Sequence, residues 1–206
     1  DDYKIDEDKI SKNIRFPVQD IYKIAEKRVI VGRIESGQIS VGTNLPFLPS
    51  NETVSVQSLE AWPKSKTKYQ KGDCVGITLS EQIFVDKGNL ASDIYSPPKL
   101  MNRFESIVFW LSEKKILFKS KYILKINTAE FDVNIQKIKK IIDTETLNPK
   151  KSLNVSKNDI CELVIHSSQL IPMDDYNFNK ETARFCILDE EEILAGGIID
   201  LKNYPD

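Results

Sequence analysis

The side chains that most often carry chemistry are few and scattered in this sequence. His166 is the only histidine, and the cysteines, Cys74, Cys161 and Cys186, include no Cys-x-x-Cys pair. Zinc sites and Ser–His or Cys–His nucleophiles need a histidine beside further ligands or a nucleophile, and nothing near His166 supplies them. We interpret His166 as a plain strand residue, and Cys161 and Cys186, which lie in apolar runs, as reduced core residues. A zinc enzyme is excluded.

Glycine-based nucleotide motifs are absent as well. None of the eight glycines is followed by lysine, which excludes a G-x-x-x-x-G-K-[ST] phosphate loop. No two glycines lie two residues apart, which excludes the G-x-G-x-x-G dinucleotide fingerprint, and the G-x-S-x-G nucleophile motif is also missing. We therefore expect that this chain alone is not an enzyme, binds no nucleotide and holds no cofactor.

Two kinds of charged segment remain as candidates for chemistry. The acidic pair Asp174–Asp175 and the acidic run 189–192 are predicted to be solvated polar turns, because acid–base catalysis needs carboxylates in differing environments. The lysine-rich stretch 64–71 carries Tyr69, and basic residues beside an aromatic ring can bind a phosphate backbone and stack a base. The alternative, which we favour, is a solvated loop.

Composition describes an ordinary globular protein. The 206 residues carry 29 Lys+Arg against 31 Asp+Glu, and this near-balance argues against a surface built chiefly for nucleic acid. No run approaches the roughly 18 apolar residues of a membrane span, and the acidic N-terminus is unlike a signal peptide. We expect a cytoplasmic protein without membrane contacts. Because the chain begins with Asp1, and its only methionines are Met101 and Met173, we also expect it to be a piece of a longer protein.

The elements that must position these residues read as strands. Short β-branched or aromatic runs, bounded by turn residues, recur along the chain, and they predict an all-β protein of two small antiparallel barrels. A tight turn is predicted at Gly37, and a C-terminal hairpin around the acidic run 189–192. The stretch 135–142 has isoleucines at a spacing that also fits one helix face, but we favour a strand. Residues 93–102, around Pro97–Pro98, are the candidate linker.

A family resemblance adds to this interpretation. The segment Arg15–Tyr22, followed by Val31–Gly37 and Val41–Gly42, resembles the second domain of the elongation factor Tu class of GTPases. Lys71–Leu79 and Val85–Leu90 resemble the closing strands of that domain. The resemblance implies an elongation factor Tu domain 2-like barrel at residues 14–97, after a polar segment at residues 1–13.

The second half resembles the third domain of the same class. Arg103–Glu105 is similar to its start, and Ala183–Ile187 and Ala195–Ile199 are similar to its end. This implies a domain 3-like barrel at residues 98–206. Within the class, Lys121–Lys125 and the segment 142–147 resemble most the large (GTPase) subunit of the heterodimeric sulfate adenylyltransferase, or ATP sulfurylase.

The resemblance implies a C-terminal piece of a GTPase whose nucleotide-binding domain lies upstream. GTP and Mg²⁺ would be bound in that absent domain, and the barrels would dock partners and couple hydrolysis to sulfate assimilation. The implied partners are the chain's own missing GTPase domain and the catalytic small subunit of sulfate adenylyltransferase. The alternative function is an RNA- or ribosome-facing module of a translation GTPase, with transfer RNA or the ribosome as partner. The near-zero net charge favours the first.

The resemblance also implies a partner-binding site on the first barrel. In the translation factors the surface of this domain takes the aminoacyl end of transfer RNA, and the matching positions here are Gln19, Asp20, Tyr22, Arg33 and Glu35. Gln19 is a neutral amide where those factors usually carry an acid, which argues against an aminoacyl ligand. For Arg33 and Glu35, the alternative is a cross-strand pair on an exposed barrel face.

Overall fold

The computed structural model describes residues 13–24, 26–61, 66–146, 148–150 and 154–203. Of the polar segment predicted at residues 1–13, only Asn13 falls inside these ranges. Contacts between residues divide the chain into two compact units, with the boundary between Pro97 and Pro98. The linker predicted at residues 93–102 is shorter than expected, because a strand already begins at Lys99.

The first unit is a closed barrel of antiparallel strands with a small two-stranded sheet. Its strands are β1 (Arg15–Ile24), β2 (Lys27–Arg33), β3 (Gln38–Ser40), β4 (Asn44–Leu48), β5 (Glu52–Glu60), β6 (Lys68–Gln70), β7 (Cys74–Leu79) and β8 (Leu90–Ser92). The barrel closes in the order β1-β2-β7-β5-β4-β8, and β3 pairs with β6. Its core is built from inward-facing side chains of these strands, including Phe16, Val18, Ile30, Phe47 and Ile77.

The second unit is another closed antiparallel barrel, with longer strands. Its strands are β9 (Lys99–Trp110), β10 (Tyr122–Ile126), β11 (Ala129–Ile142), β12 (Ile160–Met173), β13 (Arg184–Asp189) and β14 (Glu192–Asp200). They close in the order β10-β11-β12-β9-β14-β13. Fully buried Phe104, Trp110, Leu124, Leu163 and Ile187 belong to its core.

The predicted all-β fold of two small barrels is confirmed. Across the described ranges, every regular element is a strand, and each unit closes into six antiparallel strands. In the same ranges there is no helix of the length and apolarity that crossing a membrane requires.

The isoleucines of β11 explain how a strand can carry a helix-like spacing. Ile135, Ile138 and Ile141 are all buried although they lie three residues apart. The register of β11 against β12 shifts between Ile135 and Lys137, and again between Ile138 and Lys140. Each shift is a bulge that adds one residue, so a side chain faces the core at every third position instead of every second. The predicted strand is confirmed, and its spacing has a physical cause.

Two glycines sit where only glycine fits. Gly37 has a φ of 76° in the turn after β2, as predicted. A Cβ on Gly197, in β14, would lie 2.6 Å from the Phe185 ring and 2.7 Å from Val108 Cγ1. The Phe185 ring therefore packs directly against the backbone of β14, and the predicted C-terminal hairpin, β13 with β14, is confirmed.

The cysteine and histidine predictions hold in part. All three cysteines are free thiols. Cys161 is fully buried, and burial raises the pKa of its thiol to about 12. Cys186 is only half-buried, because it lies opposite Gly196 on the outer side of the hairpin; its assignment to the core was wrong. His166 is a strand residue of β12, opposite Arg103, as predicted.

The carboxylates of the acidic segments form hydrogen bonds and ion pairs that the prediction of solvated turns did not include. Asp174 is buried and accepts a hydrogen bond from the Thr182 hydroxyl, so its assignment to a solvated turn was wrong. Asp175 accepts the Leu201 N–H at 2.7 Å. In the acidic run 189–192, two carboxylates form ion pairs with Lys114. These carboxylates tie loops to the second barrel.

Candidate docking surface of the first barrel

The hairpin of β1 and β2 carries three of the five predicted partner-binding residues. The register of the two strands shifts between Val18 and Asp20, which leaves Gln19 as the extra residue of a bulge. Gln19, Asp20 and Tyr22 are all exposed. A bulge re-aims the side chains of its strand, and bulges are common next to binding sites.

Asp20 organises this hairpin. Its carboxylate accepts the N–H of Ile21 at 2.8 Å, and this bond occupies a donor that an added strand or a partner could otherwise use. The Asp20 carboxylate also raises the pKa of Tyr22, chiefly through a hydrogen bond between the two side chains and also through its negative charge. Tyr22 remains about half exposed, so its ring is available at the surface.

The structure places the other two predicted residues elsewhere. Arg33 lies opposite Cys74 of β7, not opposite Glu35, so the two do not form a cross-strand pair. Val29 is the residue opposite Tyr22, and Arg33 is four residues beyond Val29. Arg33 therefore lies about 13 Å along β2 from the Tyr22–Val29 pair. The N–H of Glu35 donates to the carbonyl of Arg15 at 2.9 Å. The structure therefore brings Gln19, Asp20 and Tyr22 together and places Arg33 and Glu35 farther from them.

Sequence reasoning missed an aromatic residue that the structure adds to the hairpin. Phe84 is 88% exposed, whereas Val85 is fully buried and Ile83 packs against the core. The guanidinium of Arg28, at the start of β2, donates to the carbonyls of Ile83 and Val85, on both sides of Phe84. Within the continuous apolar run 83–85, nothing in the sequence distinguished the outward residue.

The segment that carries Phe84 runs beside the hairpin. At one end, the N–H of Gly88 donates to the carbonyl of Val18, whose own N–H donates to the carbonyl of Asn89. At the other end it is held by Arg28, which lies opposite Lys23 of β1. We call the exposed side chains of the hairpin and of this neighbouring segment, Gln19, Asp20, Tyr22 and Phe84, together the hairpin surface. Both of its aromatic rings are presented by hydrogen-bonded backbone.

The charges around the hairpin surface suit a partner that carries charges of both signs better than they suit a polyanion. On the same hairpin, Asp20 and Glu26 stand against Lys23, Lys27 and Arg28, which leaves a net charge of only +1 (3 − 2). Among the described residues, no cluster of His, Cys, Asp and Glu could hold a metal ion. The hairpin surface thus presents two exposed aromatic rings near charged side chains of both signs.

The lysine-rich stretch is not a base-stacking site. Tyr69 is 6% exposed and belongs to the core of the first barrel. Lys66 lies 5.7 Å from the centre of the Tyr69 ring and forms an ion pair with Asp73 at 2.9 Å. Lys64 lies outside the described residues. The aromatic ring of this stretch is unavailable to nucleic acid. The loop interpretation was wrong for Lys68–Gln70, which form β6 and pair with β3.

Comparison with known sequences finds a matching family for the second barrel and relatives that align with both barrels. Residues 103–200 match the family described as GTP-eEF1A C-terminal domain-like. The chain is 26% identical over 194 residues to sulfate adenylyltransferase subunit 1 of Shewanella woodyi, covering 94% of this chain and 41% of that protein. It is 24% identical over 193 residues to the bifunctional enzyme NodQ of Rhizobium meliloti, covering 92% of this chain and 30% of that protein. The chain thus spans less than half of the length of these relatives.

Comparison with solved structures supports the same architecture. The structure of Sup35 complexed with GDP superposes with a TM-score of 0.84 at 20% identity, covering 93% of this chain and 48% of that chain. At this identity the likeness concerns the fold. It confirms the domain 2-like and domain 3-like barrels that the sequence resemblance implied.

Proposed function

We propose that this chain, whose residues 103–200 match the GTP-eEF1A C-terminal domain-like family, is the two-barrel part of a GTPase of the sulfate adenylyltransferase subunit 1 type. Its role is to dock a partner subunit and to couple GTP hydrolysis to sulfate assimilation. The observation that carries this proposal is the alignment with subunit 1, which extends over 94% of the chain and therefore includes both barrels.

The nucleotide chemistry would lie outside these residues. The sequence contains no phosphate loop, and no group of residues in the described ranges resembles a metal site. GTP and Mg²⁺ would be held by another part of the parent protein, where they stabilise the charge that develops on the transferred phosphoryl group. Ordering of switch segments in that part would change how it packs on the barrels.

The barrels would contribute the docking. The hairpin surface offers two exposed rings, of Tyr22 and Phe84, and aromatic side chains supply much of the energy of protein interfaces. The Arg28 hydrogen bonds hold Phe84 in place before binding, which lowers the entropy lost on association. The proposed partner is the catalytic small subunit of sulfate adenylyltransferase.

The test is direct binding of purified small subunit to this chain, measured by biolayer interferometry. We expect saturable binding that is at least tenfold weaker for the double variant Tyr22→Ser, Phe84→Ser. The matched control is Val41→Ser, which removes a side chain of similar exposure elsewhere on the first barrel. Equal weakening in all variants would argue against the hairpin surface.

The same experiment distinguishes the alternative function. Transfer RNA is offered in parallel, at several salt concentrations. Binding that falls steeply with salt would indicate phosphate contacts and support the translation-type module. Absence of small-subunit binding together with tight transfer RNA binding would overturn the proposal.

A further inference from the structure

We draw no further inference here: the strongest candidate, the apolar patch on the outer face of the second barrel where exposed Phe109 of β9 lies opposite Gly196 of β14, carries nothing, because nothing in the structure shows what covers it.

Discussion

Each barrel has an exposed phenylalanine whose neighbouring backbone is held by one side chain, Phe84 in the first and Phe118 in the second, and the two barrels do so by different means. In the first, the guanidinium of Arg28 binds the carbonyls on both sides of Phe84. In the second, the hydroxyl of Tyr122 binds both backbone groups of Leu117, the residue before Phe118. We call each of these side chains, with its two hydrogen bonds, a clamp. The Arg28 clamp is a charged group at the exposed start of β2, and the Tyr122 clamp is a neutral hydroxyl on a residue of the core.

Because of this difference, we expect loss of the Arg28 hydrogen bonds to affect one segment, and loss of the Tyr122 hydroxyl to affect the stability of the whole barrel. Because Arg28 is exposed, the loss of its hydrogen bonds frees a segment that water can solvate. Tyr122 is buried, so the loss of its hydroxyl leaves polar groups without a partner at the edge of the core. This costs more free energy of unfolding than the loss of the Arg28 hydrogen bonds. The Tyr122 hydrogen bonds are thus made by a residue of the barrel core, whereas the Arg28 hydrogen bonds are made by an exposed residue.

Among substitutions of the two residues that hold these segments, the largest effect is expected for Tyr122→Phe. The variant keeps the ring in the core but removes the partner of the Leu117 N–H and carbonyl, so we expect a loss of about 1–3 kcal/mol in the free energy of unfolding. Urea denaturation measures this change. Tyr95→Phe is the control, because Tyr95 is almost fully exposed and its hydroxyl can bind water. A loss below about 0.5 kcal/mol for Tyr122→Phe would remove the distinction between the clamps.

A smaller, local effect is expected for Arg28→Lys. Lysine keeps the charge but lacks the planar fork that reaches two carbonyls at once. We expect roughly fivefold faster hydrogen exchange around residues 83–88, since a typical net hydrogen bond contributes about 1 kcal/mol. Exchange of residues 111–119 should be unchanged. Faster exchange across the entire first barrel would mean that Arg28 supports the core as well as the segment.

Acid should loosen the loop of the second barrel and leave the Arg28 clamp intact. The hydrogen bond from Ser112, and then the contact with Lys114, lower the pKa of Glu192 in the folded chain. A lowered folded pKa means that the contribution of Glu192 is present above its ordinary value near 4.5 and is lost as the pH falls through the folded value. Arginine and backbone carbonyls do not titrate in this range.

The measurement is hydrogen exchange at pH 7 and pH 3, corrected for the intrinsic effect of pH. Residues 111–119 should lose protection at pH 3 relative to residues 83–88. Glu192→Gln should show reduced protection of the loop already at pH 7 and a smaller change with acid. An equal acid effect on both segments would attribute the change to general loosening of the chain.

The sequence was sufficient for the architecture because strand signals and turns agree along the chain. Gly37 predicted a turn from its backbone freedom alone, and the apolar pattern of the C-terminal hairpin predicted β13 and β14. The isoleucines of β11 were ambiguous because bulges changed the period of burial from two to three. A bulge is set by pairing with a distant strand, and no local pattern reveals it.

The docking surfaces were harder to predict for a related reason. Gln19, Asp20 and Tyr22 follow each other on one strand, so their proximity could be inferred, whereas Arg33 lies farther along the neighbouring strand. Phe84 depends on Arg28, 56 residues earlier in the chain, and Asp174 depends on Thr182 for its burial. Hydrogen bonds between segments that are distant in sequence decide which polar or apolar side chain faces outward.

The smallest effect is expected from removing the presented rings themselves. If Phe84 and Phe118 are held out in solvent, then Phe84→Ser and Phe118→Ser should each change the free energy of unfolding by no more than about 0.5 kcal/mol, as other surface substitutions do. Phe104→Ala, in the core of the second barrel, is the contrasting variant and should cost about 3–5 kcal/mol. A loss above 1 kcal/mol for either exposed phenylalanine would mean that its ring packs against the barrel, and that its clamp orders a hydrophobic contact instead of presenting a side chain to a partner.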